Sequence, residues 1–221
     1  MEKGKQALTQ VMKKILNGVA AGIVISIGCA VFLACENRYV GSVMFSVALL
    51  TICLRSYALY TGKIGFIPEK HGKEELSVLL LGLLGNTIGV ASGGFAAGYA
   101  VPSLKEAAIT LCTTKLDAQS FAQTLIRAIF CGILMYIAVS VYRDNRKIVG
   151  ILFAIPVFIL SGFEHSIADI GYFAFAGIAS WQAFGFVWTV ILGNSLGSML
   201  LPVITGAMRP GRGNKEGRDA E

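Results

Sequence analysis

The chain has 221 residues, 55% of them hydrophobic and 14% charged, with a mean hydropathy of +0.68 and a formal net charge of +6. A soluble domain carries about 25% charged residues, so this composition excludes a water-soluble globular fold and fits about five to seven membrane spans of roughly 20 residues each. The positive charge sits at the two ends and between apolar runs, not in a basic stripe interleaved with aromatics, which argues against nucleic acid as a partner and for loops at the surface of a lipid bilayer.

The basic segment 1–14 precedes an apolar run, Ile15 to Ala34, that is too long for the core of a signal peptide and reads as a retained first span. The second apolar segment runs from about Val40 to Phe66 and is interrupted near Tyr60-Thr61-Gly62-Lys63. The third covers Leu76 to Val101 and the fourth Phe121 to Tyr142. The fifth, Ile148 to Ala176, is interrupted at Gly162 to Ser166, and the sixth covers Trp181 to Thr205. Residues 15–207 therefore form one transmembrane unit of six helices, an all-α membrane fold. Residues 208–221 form a charged, Gly-rich tail expected to be disordered.

Cys29, Cys35, Cys53, Cys112 and Cys131 form no Cys-x-x-Cys pair and lie mostly in apolar runs, so they read as small packing residues. Nothing in their spacing suggests a disulfide framework or a metal site, and no cofactor is expected.

Orientation follows from the basic residues. With both termini cytoplasmic, the inner segments hold Lys3, Lys5, Lys13, Lys14, Lys63, Lys70, Lys73, Arg143, Arg146 and Lys147, and the tail adds Arg209, Arg212, Lys215 and Arg218. The outer loops hold only Arg38, Lys105 and Lys115, a strongly positive-inside pattern expected of a multi-pass protein of the cell or inner membrane.

Leu84-Gly85-Asn86-Thr87-Ile88-Gly89 in the third segment matches Leu192-Gly193-Asn194-Ser195-Leu196-Gly197 in the sixth. Each follows an interrupted segment. Three spans per half make this an inverted 3+3 repeat, and paired broken helices in such repeats point to a substrate path. A helix broken in hydrocarbon frees backbone groups that protein or a water-filled cavity must satisfy.

His165 stands in the second interruption, Ser161-Gly162-Phe163-Glu164-His165-Ser166, and is the one histidine of the apolar body; Asp169 follows four residues on. An ionisable side chain at membrane depth costs roughly 2.5–3.5 kcal/mol on insertion scales and usually faces an interior or a cavity. Histidine exchanges protons near neutrality.

Phe163-Glu164-His165-Ser166-Ile167-Ala168 resembles the Phe-Glu-His-Ser signature of the formate/nitrite transporter family, and Leu59-Tyr60-Thr61-Gly62 resembles the Leu-Phe-Thr-Gly loop of its second helix. The two Leu-Gly-Asn-x-x-Gly segments and Pro156-Val157 fit as well, and the likeness runs from about Lys13 to Thr205. The resemblance implies an aquaporin-like fold assembled as a homopentamer. It implies passage of small monovalent anions such as formate, nitrite or hydrosulfide, with a proton as the second partner and no enzymatic activity. It makes Thr61 the loop hydroxyl on a central His165, Asn194 a pore asparagine, and Lys115 the cation that draws anions into the outer vestibule. Phe45, Leu49 and Leu59 would form one apolar constriction and Phe158 the other, while Glu164 would hold backbone or loop groups beside the pore. Two positions depart from the family pattern: Asp169 stands where it has Asn, and Gly132 in Arg127-Ala128-Ile129-Phe130-Cys131-Gly132 also replaces Asn.

Two readings from other classes compete. A neutral-solute channel of the aquaporin type lacks its paired Asn-Pro-Ala boxes here, and an intramembrane enzyme using His165 lacks a partner beyond the loose Gly89-Val90-Ala91-Ser92-Gly93 look-alike of a serine motif.

Overall fold

The computed structural model describes residues 2–208; the tail from residue 209 on lies outside them. Among the described residues every regular element is helical: α1 (Glu2–Ala34), α2 (Arg38–Arg55), α3 (Tyr60–Lys63), a 3-10 turn (Ile64–Phe66), α4 (Lys73–Ala100), α5 (Pro102–Ala118), α6 (Phe121–Asn145), α7 (Val149–Leu160), α8 (Ser166–Ala176) and α9 (Trp181–Met208). Five of these helices, α1, α2, α4, α6 and α9, are long and apolar enough to cross a membrane. The fifth apolar segment of the sequence is supplied by two shorter helices, α7 and α8.

The basic N-terminal segment is helical and runs without a break into the first span, as α1 starts at Glu2. Two boundaries differ from the sequence reading. The interruption of the second segment lies earlier than Tyr60: α2 ends on Ser56, in the left-handed conformation at φ 56°, and Tyr60–Lys63 is already the next helical turn. Between the third and fourth segments, where the sequence reading had only a loop, stands α5, started by Pro102 at a position where its missing N–H costs nothing.

Small residues set the packing. α1 lies along α4 and α6 along α9. A Cβ on Gly22 would come within 2.6 Å of Val90 N, and one on Gly132 within 2.8 Å of Ser198 N, so backbone meets backbone at both crossings. Without a hydrophobic force between helices in lipid, such close approach supplies the dispersion that holds them. The outward faces stay apolar: Leu80, Leu84 and Ile88 on α4 and Leu192, Leu196 and Leu200 on α9 are exposed, as suits helices that cross a membrane. α8 is enclosed by α4, α5, α1 and α9, which buries the chain that follows His165.

Candidate functional site

The two interruptions meet at the centre of the bundle, and two asparagines hold them. Asn86 on α4 accepts from Tyr60 N at 2.8 Å and donates to Ala58 O at 2.7 Å and Gly18 O at 2.9 Å. Asn194 on α9 accepts from Ser166 N at 2.9 Å and donates to Glu164 O at 2.8 Å and Ala128 O at 2.9 Å. In each set the acceptor takes the first N–H of the helix after the break, and the donors reach the carbonyl two residues earlier and a carbonyl of a facing helix. Breaking a helix orphans groups at its ends; one carboxamide satisfies two of them and ties the break to a facing helix with its third bond. Both asparagines are fully buried. Asn194, expected as a pore asparagine, supports the break through these bonds and does not border either cavity described below.

His165 caps α8. Its Nδ1 accepts from Ala168 N at 3.1 Å, and its Nε2 lies 2.9 Å from Thr61 Oγ1, which joins the two breaks through side chains. An Nδ1 that accepts carries no proton, so the neutral ring keeps its proton on Nε2, facing Thr61. The Phe158 ring stacks on the imidazole at 5.8 Å, and Phe45 meets Phe158 edge-on at 6.4 Å.

Two cavities flank this layer. The larger, about 510 Å³, reaches His165 and Phe158 and is bordered by Lys115, Glu164, Asp169, Arg38 and Arg127. The smaller, about 230 Å³, is bordered by Leu49 and Leu59 and by Lys63, Arg143 and Arg146. Phe45 meets Phe158 beside His165, and Leu49 and Leu59 border the smaller cavity.

Lys115 is not the free cation expected of it. Its ammonium bridges Glu164 Oε2 and, at 3.0 Å, Asp169 Oδ1. Gln119 Nε2 holds the other Glu164 oxygen at 2.7 Å. The sequence reading missed Arg38 and Arg127. Arg38 reaches Ile159 O in the last turn of α7 at 3.0 Å and Arg127 reaches Gly162 O in the α7–α8 link at 3.5 Å, and neither has a carboxylate partner among the described residues. Their signal was present, since basic residues beside a polar break invite pairing with its freed carbonyls. Gly132, a departure from the family pattern, lies at the α6–α9 contact, where any side chain would strike the backbone of Asn194 and Ser198.

A family model described as formate/nitrite transporter matches residues 1–208. The chain belongs to the formate/nitrite transporter family. This family member is 30% identical over 188 residues, 78% of its own length and 68% of the relative's, to an uncharacterized transporter, YrhG, of Bacillus subtilis (strain 168). Its fold is similar to that of a pentameric formate channel with formate bound, with a TM-score of 0.74, 20% identity, and coverage of 90% of this chain and 97% of the other. It is similar also to an FNT family ion channel, with a TM-score of 0.75, 18% identity, and coverage of 94% and 93%. This family member is therefore a multi-pass membrane transport protein, not an enzyme.

Proposed function

We propose that the chain passes small monovalent anions of weak acids, of the formate, nitrite or hydrosulfide class, through a pore in each subunit of a homopentamer in the cell membrane, with both termini cytoplasmic. The observation that carries this reading is the layer at His165: a neutral imidazole N–H, a hydroxyl and two apolar closures between two cavities with basic rims. A charged anion squeezed between Phe45, Phe158, Leu49 and Leu59 loses its hydration with little returned. A neutral acid avoids that cost, and the Nε2–H of His165 with Thr61 Oγ1 gives it one polar foothold midway.

The arginines refine the approach. Lys115 is already neutralised by two carboxylates, so Arg38 and Arg127 are the cations that raise the anion concentration in the larger cavity. The matched hydrogen bonds of Asn86 and Asn194 support an inverted repeat of 3+3 segments, with residues 15–207 as the channel unit. The formate channel it resembles in fold supports formate as the first anion to try and a pentamer as the assembly.

The test is anion flux into proteoliposomes over a pH series, for the wild type and for His165→Asn. The variant is expected to assemble and to lose pH-dependent formate and nitrite flux. Full flux in an assembled His165→Asn protein would overturn the role of His165, and glycerol or water flux without anion flux would favour a neutral-solute channel.

A further inference from the structure

Beside the larger cavity, one cation faces two acids. Lys115 contributes one positive charge, and Glu164 and Asp169 contribute two negative ones, so the fully ionised cluster carries a net charge of −1. All three side chains are withdrawn from solvent: Asp169 is 1% exposed, Glu164 2%, and the Lys115 side chain 13%. Three of the four carboxylate oxygens have partners: Lys115 and Gln119 on Glu164, and Lys115 on Asp169 Oδ1. Asp169 Oδ2 is buried and receives no hydrogen bond from the protein. An uncompensated buried charge costs several kcal/mol, and an orphaned buried acceptor adds to that cost.

No neighbouring element supplies the missing positive charge. α5 presents Lys115 and Cys112, α1 presents Cys29, α6 presents Cys131, the α7–α8 link presents Glu164 and His165, and α8 itself presents Tyr172. α9 contains no ionisable residue, and those of α4 lie at its ends. Arg38 and Arg127 border the same cavity but form no ion pair with either acid. One proton brings the cluster to zero net charge, and Asp169, which borders the cavity, is the acid whose second oxygen no protein donor holds.

We propose that Asp169 holds that proton against Lys115 and Glu164 and gives it to the anion in the cavity. This rests on the anion-passage reading and names its proton source. In the transfer the Asp169 carboxyl O–H bond breaks, its electron pair stays on the carboxylate, and a lone pair on the anion's oxygen, or on the sulfur of hydrosulfide, forms the new bond to hydrogen. The neutral acid moves on to His165, and the Asp169 carboxylate left with Lys115 is reprotonated from the water of the outer cavity. His165 is the poorer source, because a second ring proton must displace the Ala168 N–H from Nδ1. The ligand class follows: conjugate bases of weak acids are carried, whereas chloride and nitrate, which do not hold a proton in water, are not.

Two readouts test this in the full-length protein in lipid. Infrared spectroscopy of the wild type near neutral pH should show the carbonyl stretch of a protonated carboxyl, shifted in heavy water, absent in Asp169→Asn and restored in Asp169→Glu. A wild-type spectrum without that band overturns the proposal, and needs no variant to fold. In proteoliposomes at constant formate, Asp169→Asn flux should follow the free acid in bulk water and fall about tenfold per pH unit, whereas the wild type falls less steeply. Superimposable profiles overturn the transfer step. A band lost in Asp169→Asn together with no wild-type flux of formate, nitrite or hydrosulfide would retain the proton site and reject the anion reading.

Discussion

Replacing Asn194 by Leu should show how much the α7–α8 break depends on one side chain. The substitution keeps the approximate volume and removes all three hydrogen bonds of the carboxamide. They are not equivalent. Ala128 O lies inside α6, where a helical N–H still satisfies it, so its loss is small. Ser166 N and Glu164 O lie at the break, and both become buried orphans at about 1–3 kcal/mol each, or about 2–6 kcal/mol together. Interhelical hydrogen bonds in membranes average only about 0.6 kcal/mol because the unfolded chain in lipid finds substitutes. A break enclosed by four helices has no such substitute within reach, so the upper scale applies. Unfolding of the purified protein by titration with a denaturing detergent should therefore show a loss of at least about 2 kcal/mol, with anion flux lost in parallel because Ser166 and Glu164 flank His165. Asn194→Asp, which keeps the acceptor for Ser166 N, should lose less. A loss under about 1 kcal/mol with normal flux would refute the claim that this amide holds the break.

Thr61→Val leaves the His165 Nε2–H without its oxygen; nitrogen NMR of labelled histidine should still find the Nδ1 acceptor tautomer, since Ala168 N–H fixes it, while flux falls. Lys115→Met leaves the buried Glu164 carboxylate without its cation and should destabilise by about 3–5 kcal/mol, and adding Glu164→Gln to it should recover part of that loss in the same detergent titration. Gly132→Asn restores the residue of the family pattern, yet its side chain meets the α9 backbone, so overpacking should cost about 1–3 kcal/mol in thermal unfolding. Neutralising Arg38 and Arg127 together should lower flux at low ionic strength and have little effect at high salt, where screening already removes their attraction.

What could be read from the sequence depended on how local its cause was. The break at His165 was legible because Ser161, Gly162, Glu164 and His165 are out of place in an apolar run, and Gly162 indeed takes a positive φ of 70°. The other break was placed too late, because Arg55-Ser56-Tyr57-Ala58-Leu59 contains no Gly or Pro and its turn is made by Ser56 in a left-handed conformation. Asn86 and Asn194 stood out as a repeated motif, but their partners are backbone atoms 26 to 68 residues away, which no side-chain pattern announces. The same distance hid the state of Lys115, whose partners Glu164 and Asp169 are 49 and 54 residues along the chain, and so a residue assigned to attract anions proved to be already paired. α5 was passed over because its apolar positions face the bundle while Lys105, Glu106 and Lys115 dilute its hydropathy.

The central claim, that the anion crosses the His165 layer as a neutral acid, is tested most directly by formate uptake into proteoliposomes under an imposed membrane potential, with the interior pH recorded at the same time. A net charge crossing the membrane feels about 2.3 kcal/mol per 100 mV, on the order of fifty-fold in the final concentration ratio. Passage as a neutral acid gives an uptake that 100 mV of either sign leaves unchanged, with one proton entering per formate. Accumulation that follows the potential by that factor, with no acidification inside, would contradict it.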